Sequence, residues 1–151
     1  ECGGCNMIQK PFLRIFTFFH ILLYRLTRGK LGGRMNGLPV LLLRTVGRKT
    51  GKQRVTPLGY FVHEGNYVIT GSNAGMNSHP GWYYNLTANP QASIQVNGDQ
   101  CSVVTEVAGQ DQRDRLWDTL ARIAPAYKNY PQKLTRDIPM VLLRVHSRKQ
   151  N

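Results

Sequence analysis

Two stretches of the 151-residue chain hold residues that could do chemistry together. The first is "GRKTGKQR", residues 47 to 54, where Arg48, Lys49, Lys52 and Arg54 stand between two strand-like runs with Gly47 and Gly51 bracketing the tight part. Glycines let a backbone bring its N–H groups close to an oxyanion, the cations supply charge, and Thr50 adds a hydroxyl donor, so the string reads as a phosphate cradle. Its other reading is a hairpin with a basic tip, and the G-x-x-x-x-G-K-[ST] order of a Walker loop is absent. The second stretch is "GSNAGMNSHPGWYYNLTANP", residues 71 to 90. Gly71, Ser72, Asn73, Ala74 and Gly75 form a small-residue loop that a flat ligand could approach. Trp82, Tyr83 and Tyr84 offer aromatic surface, with core packing as the competing use of Trp82 and Tyr83, and Asn85 offers amide donors. Together the two stretches describe a site for a planar heterocycle with a phosphorylated tail.

Other chemistry is excluded by what the chain lacks. His20, His63, His79 and His146 are scattered, with no pair at ligand spacing and no convincing nucleophile and carboxylate beside them. Eight acidic residues in all argue against a two-carboxylate acid/base site or a magnesium site. If the chain is an enzyme, a bound organic cofactor is expected to do the hard step. No metal site is expected. Three cysteines cannot build a disulfide framework, and Cys101 sits alone in a strand-like run, which favours a reducing compartment. "CGGC" at Cys2 to Cys5 has redox or ligand spacing but no completing pair, and residues 1 to 6, ahead of Met7, read as a leader or remnant.

The formal net charge is +12, and no acidic residue occurs between Glu1 and Glu64. Such asymmetry points to a polyanionic partner of the N-terminal half: nucleic acid, an anionic membrane surface or a phosphorylated ligand.

The elements that must position these residues follow from the hydrophobic pattern. Residues 7 to 30 read as an amphipathic helix whose broad apolar face carries Phe12, Ile15, Phe16, Phe19, Leu22, Leu23 and Leu26, framed by Arg14, Arg25 and Arg28. Only ten residues separate Arg14 from Arg25, against about 20 for a membrane span. The helix either packs on the domain or lies in a membrane interface with its arginines on anionic headgroups. From residue 31 to 151 the chain reads as one cofactor-binding domain. Its strands are expected at 38–46, 54–62, 66–71, 92–97, 100–107 and 139–146, separated by turn chemistry such as "GRKTG", "HEG" and "NGD". A short helix starts near Trp82, and "DQRDRLWDTLARIA" gives an amphipathic helix with Leu116, Leu120 and Ile123 inward. The fold class is mostly β with flanking helices, a small and mainly antiparallel barrel.

"GRKTG", then "R" and "PL" in "KQRVTPL", then "GS" and the spaced string P-x-W-Y-x-N-L-x-A-N-P resemble the deazaflavin-dependent nitroreductase family. The similarity runs from about Leu31 to Leu143 and includes "AYKNYPQKLTRDIP". The resemblance implies a split β-barrel like that of the FMN-binding oxidases, and reduced coenzyme F-420, a deazaflavin with a phosphate and an oligoglutamate tail, as cofactor. Carried over by motif, Arg48, Lys49, Thr50, Gly51, Lys52, Gln53 and Arg54 hold the phosphate and its neighbourhood, and Pro57 lines the groove. Gly71, Ser72 and Asn73 border the ring, with Trp82, Tyr83 and Asn85 behind it. The implied chemistry is hydride transfer to a quinone or nitro-type acceptor, with Ser72, Tyr127 and Tyr130 as candidates for hydrogen bonding or proton delivery. Asn73 stands where nitroimidazole-reducing relatives carry lysine, and Ala124 where they carry a pocket tyrosine. Menaquinone as acceptor would give the N-terminal helix a purpose on the cytoplasmic face of a membrane. The rival readings are an FMN-binding split-barrel oxidoreductase and a single-strand nucleic-acid binder. The latter ranks below the others because the aromatics are grouped at 82–84 and 127–130, so no nucleic acid is expected. Exposed strand edges of a split barrel suit a homodimer.

Overall fold

The computed structural model describes residues 9–30, 33–129 and 134–148. The Cys2/Cys5 pair and Tyr130 lie outside the described residues. Helix α1 (Gln9–Leu26) is followed by a short strand β1 (Arg34–Met35) and by β2 (Leu38–Val46), β3 (Gln53–His63) and β4 (Asn66–Thr70). Helix α2 (Gly81–Ala88) precedes β5 (Gln91–Val96) and β6 (Asp99–Val107), and helix α3 (Gln110–Ile123) leads to β7 (Met140–Arg148). Neighbouring strands are antiparallel in the order β1-β2-β3-β4-β7-β6-β5, and β2 also pairs with β5, so six strands close into a barrel. Closure occupies the strand edges that would otherwise recruit a second chain.

Three hairpins turn on two residues at positive φ: Asn36-Gly37, Glu64-Gly65 and Asn97-Gly98. This is the turn geometry whose twist matches the flanking strands, and Asn-Gly adopts it at little cost. The apolar run "LPVLLL" is a strand buried on both faces. Leu41 and Leu43 point into the barrel with Ile69, Ile94, Val141 and Leu143, while Val40 and Leu42 point outward under α1. An unbroken apolar run, with no alternation, is what covering on both sides requires.

The side of α1 that packs is not the apolar stripe of the sequence. Tyr24 is fully buried against Val40 and Leu42, with Ile21 and Val55 alongside. Its hydroxyl donates to Val40 O at 2.8 Å and accepts the Asn97 N–H at 3.1 Å. A tyrosine satisfies that carbonyl and that N–H, which no phenylalanine or leucine of the stripe could do. Ile15, Phe16, Phe19, Leu22, Leu23 and Leu26 are exposed, as is Phe18. No helix among the described residues is long and apolar enough to cross a membrane.

Helix α3 lays Leu116 and Leu120 on Phe61, Val68, Met140 and Leu142. Ile123, expected inward, is 50% exposed. The buried line instead continues four residues at a time to Ala124, whose methyl group takes the place where the helix ends, and then to Tyr127.

Candidate cofactor and active site

The basic turn connects β2 and β3 just beyond the Val46↔Gln53 pair, at one end of the barrel. Gly47 N–H donates to Lys52 O and Gly51 N–H to Gly47 O, both at 2.8 Å. Gly51 sits at φ +68°, a conformation glycine holds without strain. Thr50 N–H also donates to Gly47 O, and the Thr50 hydroxyl accepts the Lys52 N–H at 3.3 Å. The Arg48 N–H donates to Asn85 Oδ1 at 3.1 Å. The turn thus spends the N–H groups of Gly47, Thr50, Gly51 and Lys52 on itself and that of Arg48 on Asn85. An anion here meets side chains instead. Among the described residues none of Arg48, Lys49, Lys52 and Arg54 makes an ion pair.

Helix α2 ties this turn to the barrel. Trp82 and Leu86 are buried in the core, which fixes the helix, and Asn85 then reaches back to β2. Its Nδ2 donates to the Thr45 hydroxyl at 3.1 Å while its Oδ1 holds Arg48, so one amide joins a strand, a turn and a helix. The Arg48 guanidinium lies over the Tyr84 ring, 4.8 Å from its centre, a cation–π contact that aims the charge.

The loop after β4 borders the other side. Ala74 takes a left-handed conformation (φ +51°), and the Asn73 amide donates to Ser78 O at 2.8 Å, so Asn73 is partly engaged in shaping its own loop. Gly71 packs so closely on Pro139 that a β-carbon there would lie 2.7 Å from Pro139 Cγ. Its N–H donates to Pro139 O at 2.8 Å.

These elements surround a cavity of about 770 Å³. Of the residues singled out in the sequence, Arg48, Lys49, Thr50, Arg54, Ser72, Asn73, Trp82, Asn85 and Tyr127 line it. Gly51, Lys52, Gln53, Pro57, Gly71 and Tyr83 do not. Pro57 is paired opposite Leu42 within β3, and Tyr83 turns away to stack on His79, ring centres 4.7 Å apart. Tyr127 is buried, with its ring edge-on to Trp117. Ala74 and Tyr84 of the second stretch, also singled out, line it too, whereas Met35 and Asn36 of the β1–β2 hairpin, Val55, Thr56, Leu58 and Gly59 of β3, Thr70 at the end of β4, and Met76 were not singled out as site residues. The alternation along β3 and the aromatic run at 82–84 carried some signal for this wall; nothing local marked Met35 or Asn36.

Among the described residues no aspartate or glutamate lines the cavity, and Arg48, Lys49 and Arg54 do. Cations at one end suit a phosphate and carboxylates, and Leu58, Val55, Trp82 and Tyr84 suit a flat ring. The Thr70 hydroxyl is buried and has no hydrogen-bond partner among the described residues, so a polar ring edge would satisfy it. The donor set thus fits a deazaflavin carrying a phosphorylated, acidic tail.

Comparison with known proteins agrees with this chemistry. The F420-H2-dependent quinone reductase family matches residues 17–144. An F420-H2-dependent quinone reductase of Mycobacterium tuberculosis (strain ATCC 25618 / H37Rv) is 38% identical over 128 residues, covering 82% of this chain and 86% of that protein. The solved structure of an F420-H2-dependent reductase superposes with a TM-score of 0.64 at 31% identity, over 70% of this chain and 94% of its own. A second structure, described as a domain-swapped dimer, gives 0.66 at 28% identity over 90% and 99%. The split barrel is therefore the fold, and the chain belongs to the F420-H2-dependent quinone reductase family as a reductase that uses reduced coenzyme F-420.

Proposed function

We propose that this reductase passes hydride to a quinone, with the 47–54 turn as the cofactor's anion clamp. The observation that carries the reading is the acid-free cavity with Arg48, Lys49 and Arg54 on one wall and no carboxylate neutralising them. Reduced F-420 supplies the hydride at C5 of its ring; the residues supply position and charge. Arg48, held by Asn85 and Tyr84, fixes the phosphate end, while Trp82 and Leu58 set the plane available to the ring and stacked acceptor. Ser72 and Tyr127 both reach the cavity wall, where their hydroxyls would hydrogen-bond an acceptor oxygen as it gains charge. A nitro-type acceptor would use the same groups.

A membrane-dwelling quinone such as menaquinone accounts for α1. Its exposed face carries seven large apolar side chains between Ile15 and Leu26, with Arg25 and Arg28 exposed beside them. Val55 touches both α1 and the cavity, so a helix lying in the headgroup layer of the cytoplasmic face would bring the cavity mouth to the interface. A homodimer is compatible with the same reading, since one structural neighbour is described as a domain-swapped dimer.

The test is a titration of the protein with reduced F-420 and with FMN, followed by quenching of tryptophan fluorescence, with Arg48→Ala/Lys49→Ala alongside. The expected result is F-420 binding that weakens by at least about 100-fold in the variant, two charge-assisted contacts at about 1.5–3 kcal/mol each, with quinone turnover by the wild type. Binding of FMN alone, or unchanged binding in the variant, would overturn the assignment.

A further inference from the structure

Arg136 stands outside the cavity wall, and the sequence marked it only as part of the "AYKNYPQKLTRDIP" string, with no role attached. Its guanidinium nevertheless makes five hydrogen bonds. Nη2 donates to Gly71 O at 3.1 Å and to Ser72 O at 3.0 Å, and Nε donates to Met76 O at 3.0 Å. Nη1 donates to Asp137 O at 3.2 Å and lies 3.3 Å from His79 Nδ1. Beside it, the Thr135 N–H and hydroxyl both donate to Asn77 Oδ1. The loop from Gly71 to His79 is thereby stitched to the 134–139 segment by one planar fork, which a lysine could not reproduce.

The fork also sets the direction of two peptide units. In a trans peptide the C=O and the following N–H point opposite ways. With Gly71 O and Ser72 O drawn to Arg136, the N–H groups of Ser72 and Asn73 point to the other side of the loop. Ser72 and Asn73 line the cavity and Arg136 does not, so the other side is the cavity. Neither N–H has an acceptor among the described residues. Two adjacent, unspent backbone donors at the cavity wall are what a developing oxyanion needs.

We propose that Arg136 is a positioning residue of the reductase, and that by holding Gly71 O and Ser72 O it aims the Ser72 and Asn73 N–H groups at the oxygen that gains charge during hydride transfer. This rests on the reading that the 71–73 loop borders the ring. His79 is part of the same clamp, because its Nδ1 can accept from Arg136 only while the imidazole is neutral. Burial, reinforced by the Arg136 charge, keeps the imidazole below its ordinary pKa. The groups facing it are the Arg136 guanidinium and, from α2, the Tyr83 and Tyr84 rings; the Asp137 carboxylate is engaged at 3.2 Å by Arg113.

The experiment compares wild type, Arg136→Gln, Arg136→Lys and His79→Asn, with reduced F-420 and a soluble naphthoquinone. Arg136→Gln should lower kcat about 100-fold, the usual consequence of a misplaced donor, while the Kd for F-420 stays within about threefold because the phosphate end is untouched. Arg136→Lys, which keeps the charge without the fork, should lose about tenfold in kcat and carries the test should the glutamine variant fail to fold. Wild type should lose kcat on the acid side as His79 gains a proton, and His79→Asn, whose amide oxygen can replace Nδ1 as acceptor, should lack that limb. A lysine variant within threefold of wild-type kcat, or an identical acid limb in His79→Asn, would overturn the clamp and leave the cofactor site standing. Failure of wild type to bind reduced F-420 would overturn the site itself, and the clamp with it.

Discussion

Replacing Asn85 by leucine tests whether the anion clamp is built by the barrel or merely carried on it. Leucine keeps asparagine's branched heavy-atom skeleton, so the substitution removes two hydrogen bonds without opening a void. The Thr45 hydroxyl, on a side chain 2% exposed, loses its 3.1 Å donor, and a buried group left unpaired costs about 1–3 kcal/mol. The Arg48 N–H sits in an exposed turn where water can replace Asn85 Oδ1, so its loss is nearer the net value of about 1 kcal/mol. The sum is about 2–4 kcal/mol, which for a chain of this size lowers Tm by about 4–16 °C. F-420 binding should weaken about tenfold, as the turn must be ordered when the cofactor arrives. A double-mutant cycle with Thr45→Val sharpens the test. Once the hydroxyl is gone, Asn85→Leu strands nothing on the strand side, so the double variant should be about 1–2 kcal/mol more stable than the sum of the singles. Thermal melts and F-420 titrations on the four proteins supply every quantity. Additivity within about 0.3 kcal/mol, or unchanged F-420 affinity in Asn85→Leu, would refute the reasoning.

Three further outcomes follow from the same geometry. Phe16→Glu/Phe19→Glu, at side chains 65% and 61% exposed, should leave Tm unchanged and abolish binding to phosphatidylglycerol vesicles in a flotation assay; retained flotation would remove α1 as the membrane contact. Deleting the helix is not an equivalent test, because Tyr24 closes the barrel's outer surface: Tyr24→Phe alone leaves Val40 O and the Asn97 N–H without that hydroxyl and should cost about 1–3 kcal/mol by denaturant unfolding. Gly71→Ala would set a methyl 2.7 Å from Pro139 Cγ, and relieving that overlap should cost about 1–3 kcal/mol and lower kcat more than F-420 affinity, measured by melts and steady-state rates.

Sequence alone determined the parts of this protein that depend on near neighbours in the chain. The strands show in runs of β-branched and aliphatic residues, and the hairpins in turn pairs such as Asn97-Gly98, because a two-residue turn selects its residues by local φ and ψ. The basic turn and the aromatic start of α2 were legible for the same reason, and the spaced combination of motifs pointed to the family. What the tertiary structure decided lies in pairs far apart in sequence. The stripe of α1 gave the amphipathic pattern, yet the packed side was chosen by Tyr24, whose partners Val40 and Asn97 are 16 and 73 residues away. Asn85 read as a ligand donor, and what the sequence did not show is that barrel closure sets its amide against Thr45 and Arg48, 40 and 37 residues distant. Arg136 lay inside the "AYKNYPQKLTRDIP" string without a role, since its meaning is the carbonyls of a loop 64 and 65 residues earlier that β7 brings beside it by pairing with β4. A side chain's local pattern fixes its element, but its hydrogen-bond partners are fixed only when distant elements meet, and in this barrel those meetings build the site.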